Sequence, residues 1–162
     1  MSIEFEPDEV PYVERVHDGT FLFHIPPILK EILNEHADHL KSELSTESDL
    51  HPNLMRLNPP ASLNDIQRAI DFSSLYNFSI RNTHLSNLQA LTEFETDVAI
   101  TAETLNSIAM AINSLRLFLG SELGIDGGEA ENSLLMQSGS YHLYILLGYL
   151  LEEIVTALSE QN

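Results

Sequence analysis

The chain has no cysteine and no tryptophan, and only seven of its 162 residues are Lys or Arg. Without cysteine there is no disulfide and no thiolate to hold a metal, a composition suited to a reducing compartment. The cations stand singly at Arg15, Lys30, Lys41, Arg56, Arg68, Arg81 and Arg116, so no basic stripe runs along the chain for a nucleic acid to follow. Twenty-five acidic residues leave a formal charge of −18, which repels phosphate backbones and anionic membranes alike. A transcriptional regulator is therefore the least expected function, because its recognition helix would need a basic face. Long apolar runs are missing too. The most apolar stretch, Tyr141 to Leu151, is interrupted by His142 and Gly148 and falls short of the roughly 20 residues that span a bilayer. The first nine residues are acidic and lack the apolar core of a secretory signal. The expectation is a cytoplasmic protein that binds neither nucleic acid nor membrane.

What remains is enough apolar material, 43% of the residues, to build one domain. Residues 1–11 are polar and acidic, with Pro7 and Pro11, and read as a flexible lead-in to a domain over 12–162. Two β-prone runs flank Asp18-Gly19, which predicts a hairpin over 12–25 with a type I′ turn. Pro26-Pro27 then opens a helix over about 27–44, with Ile28, Leu29, Ile32, Leu33, Ala37, Leu40 and Leu44 at helical spacing. Residues 45–52 and 125–140 have the composition of loops. Ser62 and Asp65 resemble a capping box. The apolar pattern that follows weakens at Phe72-Ser73-Ser74, favouring two helices, about 62–72 and 75–95. Asp97 to Ile100 reads as an extended link. Thr101 is placed to cap a helix over about 102–123, in which Leu105, Ile108, Ile112, Leu115 and Leu119 form a packing seam and Gly124 supplies a left-handed stop. A last helix over about 134–159, apolar nearly all round from Leu143 to Leu151, belongs at the centre or at a subunit contact. The fold class expected is mainly α: a single compact bundle of about five helices with one small N-terminal β-hairpin.

Four stretches, Asp18 to Pro27, His51 to Leu57, Ala111 to Ile125 and Tyr141 to Leu158, occur in the order and spacing of one known family. Their most specific part is Arg116-Leu117, Gly120 and Leu123-Gly124. In these the chain resembles an actinobacterial family known as a domain of unknown function, usually encoded beside the Clp protease adaptor that delivers substrates bearing N-degrons. The resemblance covers most of residues 13–158. It implies a helical cytoplasmic protein with a loose link to Clp-dependent proteolysis, and brings no reaction, cofactor or catalytic residue. Relatives commonly carry Asp where this chain has Ser114 and an acid where it has Ile145, so whatever those acids do is missing or replaced here.

Arg116 is the most informative residue. It is the only Lys or Arg from residue 82 onward, in a stretch that holds eleven Asp or Glu. Its helical neighbours, Ile112, Asn113, Leu119 and Gly120, include no carboxylate. The guanidinium therefore needs a partner from another element, either a fixed ion pair or helix cap, or an anion or carboxylate near Gly120. His36 and His39 share a helix face with Glu35 nearby, which would supply two metal ligands; on the polar side of an amphipathic helix they read first as a solvated face. The other histidines are scattered. No Gly-x-Ser-x-Gly, phosphate loop or His-Glu-x-x-His occurs, so no catalytic residue, metal or cofactor is expected. Tyr141, Tyr144, Tyr149 and Leu150 on the last helix read as core, or as the interface of a homodimer or other protein partner, Clp components included. The first expectation is thus a non-enzymatic interaction or regulatory module. The alternative is a small enzyme or metal- or anion-binding protein using Arg116 or the His36/His39 face.

Overall fold

In a computed structural model the described residues are 11–16, 18–45, 66–125 and 138–160, with side chains described from residue 80 within the third stretch. The 1–10 lead-in, the loop after residue 45, the Ser62/Asp65 capping box, His17 and residues 126–137 lie outside them. Among the described residues the chain runs β1 (Val13–Arg15), β2 (Phe21–Phe23), α1 (Pro27–Ser45), α2 (Ile66–Glu93), α3 (Ala102–Glu122) and α4 (Gly139–Ser159). The protein is mainly helical with one small antiparallel hairpin, and the described helices number four rather than about five.

Three expectations about local structure are corrected. Residues 66–93 form one uninterrupted helix of 28 residues, not two. A brief polar interruption costs only a few tenths of a kcal/mol per residue in helix propensity, too little to break a long helix. The hairpin forms in the register Val13↔Phe23, Glu14↔Leu22 and Arg15↔Phe21, but not through a type I′ turn. Only Gly19 of the Asp-Gly pair has positive φ, at 79°. The N–H of Val16 donates to Thr20 O at 2.9 Å and that of Gly19 to Val16 O at 3.2 Å. The loop is thus one residue longer than a two-residue turn, with Gly19 at its left-handed position. Asp97–Ile100 is not simply extended either. Asp97 has φ 66°, and Ile100 exchanges two backbone hydrogen bonds of 2.8 Å with Phe21, docking the α2–α3 link on the free edge of β2.

The helix α3 is the element on which the others assemble. Its Thr101 cap accepts from the Thr104 N–H at 3.1 Å. At its end Gly124, at φ 72°, lets its own N–H reach Ser121 O at 3.1 Å and the N–H of Ile125 reach Gly120 O at 2.8 Å. That pair of bonds satisfies carbonyls otherwise left open at a helix end. Leu105, Ile108, Ala111, Ile112, Leu115, Phe118 and Leu119 are buried, since α1, α2 and α4 all pack around this helix. Phe21 and Phe23 of β2 close the core from one end, Phe23 against Phe94 with ring centres 5.1 Å apart.

The last helix begins at Gly139, where Ser138 accepts from the Tyr141 N–H. Of the two places expected for it, the centre or a subunit contact, the centre belongs to α3. Only Leu147, Leu150 and Ile154 of α4 are buried, facing α3. By length and composition alone α4 would also suit a membrane span, a test that helices of soluble cores pass as well.

Candidate functional site

On the inner side of the bundle, cations are bound by their own chain. Lys30 on α1 reaches the C-terminal end of α2, donating to Leu91 O at 2.7 Å, Thr92 O at 3.1 Å and Asn34 Oδ1 at 3.0 Å. Its ammonium also lies 4.1 Å from the centre of the Phe94 ring. These are carbonyls that a helix end leaves open and that favour a cation. Burial, and then the neighbouring Lys41, hold the Lys30 amine below its ordinary value. Lys41 donates to Gln89 Oε1 and Thr92 Oγ1. His24 bridges three elements: its Nδ1 meets Asp97 Oδ1 in the α2–α3 link, and its Nε2 lies 2.9 Å from Glu14 Oε2 on β1. Hydrogen bonds first to Asp97 and then to Glu14 raise its pKa above the usual histidine value.

The other side of α3, facing α4, is different. Arg116 lies with its Cζ 4.7 Å from the centre of the Tyr144 ring, a cation–π contact. Tyr141 stacks on Tyr144 in turn, with centres 6.5 Å apart. A Cβ at Gly148 would stand 3.1 Å from Arg116 Nε, so the missing side chain there is what lets the guanidinium lie against α4. Its Nε is buried and has no hydrogen-bond partner. Among the described residues no carboxylate pairs with Arg116, so the fixed ion pair expected from another element is not seen there, and the glycine of that other element lying against its guanidinium is Gly148.

One flank of α4 thus carries Arg116, and the opposite flank carries the hairpin. Glu153 accepts from the Tyr12 N–H at 3.1 Å, while its other oxygen is buried without a partner. Burial raises its pKa, opposed by hydrogen bonds from the Tyr12 and Val13 backbone. Arg15 donates to Glu160 O at 2.6 Å at the helix end, and Tyr12 meets Tyr149 edge-on at 6.5 Å.

Between the two flanks the outward face of α4 is apolar and exposed. Ile145 is 52%, Tyr149 49% and Val155 54% exposed, with exposed Glu152 among them. Their spacing of four, three and three residues puts them on one face. Of the four candidate interface residues, Tyr149 belongs to this face, and Tyr141 and Tyr144 are half-buried beside Arg116. Leu150 takes the first of its two readings and not the interface one: at 0% exposure it is core, packed inward.

His36 and His39 do not come together with other ligands. The described residues hold no group of three His, Cys, Asp or Glu able to bind a metal. His39 instead lies 3.7 Å from Glu122 and edge-on to Phe118, joining α1 to the end of α3. Ser114 is buried in α3, donating to Met110 O at 3.0 Å and lying 3.2 Å from His84 Nδ1. Lys30, His24 and Glu153 were not singled out by sequence. Their partners lie 61, 73 and 141 residues away, and no local pattern marks them.

Comparison with curated proteins and with solved structures returned no match. One family model covers residues 2–158, nearly the whole chain, and the protein belongs to that family, the domain of unknown function DUF2017.

Proposed function

We propose that this is a non-enzymatic, cytoplasmic protein-interaction module whose docking surface is the outward face of α4. One observation carries the reading: Ile145, Tyr149 and Val155 lie on a single helix face, each about half exposed. Single exposed apolar residues are ordinary on protein surfaces. Three on one face of a helix so apolar elsewhere resemble an interaction patch. The flanks add polar definition, Arg116 on one side and Glu153 on the other, with Glu152 in the face itself. The resemblance to a family encoded beside the Clp adaptor makes components of Clp-dependent proteolysis the first partners to look for. Crosslinked pull-downs with wild-type protein and with Ile145→Glu test the reading. Ile145 is exposed, so the variant should fold, and partners captured by wild type should be lost from it. If both capture the same partners, or if wild type captures none and is monomeric, the face is not a docking surface.

A further inference from the structure

Arg116 is a cation with no counter-charge beside it among the described residues. Tyr144 covers one face and Gly148 admits the guanidinium against α4, which encloses its Nε, while the residue as a whole is only half-buried, so its charge can be met from outside. A guanidinium cannot escape by losing its proton. Leaving one partly buried and unpaired costs stability, so a carboxylate that completes it gains more than an ordinary surface ion pair. The ion pairs among the described residues join His24 to Glu14 and Asp97, His39 to Glu122 and Lys41 to Asp38. Arg116 belongs to none of them. Neither does Glu152, one turn beyond Gly148 on the exposed face.

We infer that the acceptor for Arg116 is Glu152 of a second copy of the chain, in a two-fold dimer formed by antiparallel α4 helices. This rests on the reading of the α4 face as a docking surface and names its occupant. In a symmetric pair each contact occurs twice. With the axis at the level of Leu150, residues equally spaced before and after it oppose each other. Ile145 meets the partner's Val155, and Tyr149 lies beside the axis. Gly148, with Arg116 against it, faces the partner's Glu152. Antiparallel packing keeps the same flank on the same side in both copies, so the cation of each copy sits over the acidic half of the other. A parallel pair would turn the Arg116 flank toward the partner's Tyr12 flank, where Glu153 is already engaged by backbone. The chain's charge of −18 opposes self-association at long range. At physiological salt the screening length is about 8 Å, so the charges nearest the face dominate. There Arg15 and Arg116 stand against Glu152, Glu153 and Glu160.

The test is light scattering in about 0.15 M salt on four proteins: wild type, Glu152→Arg, Arg116→Glu and the double swap, with circular dichroism to confirm folding. Wild type should show concentration-dependent mass approaching twice the 18.2 kDa of the chain. Each single change should weaken the dimer by about tenfold or more, and the double swap should restore it. Glu152 is exposed, so its variant reports even if Arg116→Glu fails to fold. In that case Arg116→Gln takes its place in weakening the dimer. A monomeric wild type overturns the inference; if it still captures a partner that Ile145→Glu loses, the proposed function stands. Dimers unaffected by the single changes, or single defects that the double swap does not rescue, also overturn it.

Discussion

On the α1–α2 side of α3, Lys30 gives three hydrogen bonds to its own chain and closes the end of α2. On the α4 side, Arg116 rests on a tyrosine ring with its Nε unsatisfied. Among the described residues, large exposed apolar side chains are grouped only on α4 and single elsewhere, as at Ile28, Val98 and Met110. Leu33, Leu40, Leu88 and Leu91 are wholly buried between α1, α2 and α3, whereas α4 buries three residues and exposes Ile145, Tyr149 and Val155. On the first side the described lysines find acceptors within the chain. The other side is held to the fold along one face and keeps polar and apolar groups available outward.

Mutations that separate the halves should differ most in the core. Leu33→Ala or Ile108→Ala, at fully buried positions, should lower unfolding free energy by about 2–5 kcal/mol. Ile145→Ala should change it by less than about 0.5 kcal/mol in dilute protein, where association does not contribute. Urea titrations at low concentration measure both. Equal losses at the two positions would mean that α4's outer face is part of the core.

The two cations give the next contrast. Lys30→Met strands the Leu91 and Thr92 carbonyls and should cost about 1–3 kcal/mol. Arg116→Met removes a charge with no carboxylate beside it among the described residues and keeps an apolar stem against Tyr144, so the monomer should lose less than about 1 kcal/mol or gain slightly. A loss at Arg116 as large as that at Lys30 would reveal a partner within the chain.

Smaller effects depend on pH. His24 has a folded pKa raised above its unfolded value of 6.5. Its clip to Asp97 and Glu14 therefore stabilises fully below about pH 6.5 and fades as pH rises through the folded value. The groups are partly exposed, so the difference between wild type and His24→Asn should stay below about 1 kcal/mol. It should shrink on going from pH 6 to pH 8.5; a constant difference would show that the clip does not depend on the proton. Glu153 has the opposite consequence. Its raised pKa means the ionised form is disfavoured in the folded state, a penalty present at neutral pH and relieved as pH falls through the folded value. Glu153→Gln should leave stability at pH 7 unchanged or slightly higher and remove the relative gain that acid gives the wild type, so the two proteins converge as pH falls.

Sequence carried the inner half of the molecule well because its signals are local. The seam of α3, its threonine cap and its left-handed glycine each concern residues within one or two turns. The course of α1 and the hairpin pairing were legible for the same reason. The continuity of α2 across Phe72-Ser73-Ser74 was not, since a weak apolar stretch looks alike in a broken and an unbroken helix. The turn type was missed because the extra residue of the loop is set by the Val16–Thr20 bond, not by the Asp-Gly pair. At the candidate site, the absence of a carboxylate near Arg116 along its own helix was readable. That Tyr144 and Gly148 would meet it was not, because helix-to-helix contact decides it. The same limit hid Leu150, whose direction depends on which side of α4 faces α3.

The most direct measurement of how α4 meets its partner is a pulsed dipolar distance between spin labels. The chain has no native cysteine, so Ser140→Cys supplies a single label site at the exposed start of α4, outside the face. With a rise of 1.5 Å per residue and an axis at Leu150, antiparallel helices place the two labelled backbones about 30 Å apart. A distance near 30 Å, allowing for the label arms, is the expected result. A separation of about 10 Å, as in a parallel pair, or the absence of any dipolar signal at concentrations where the mass is doubled, would contradict the antiparallel α4 dimer.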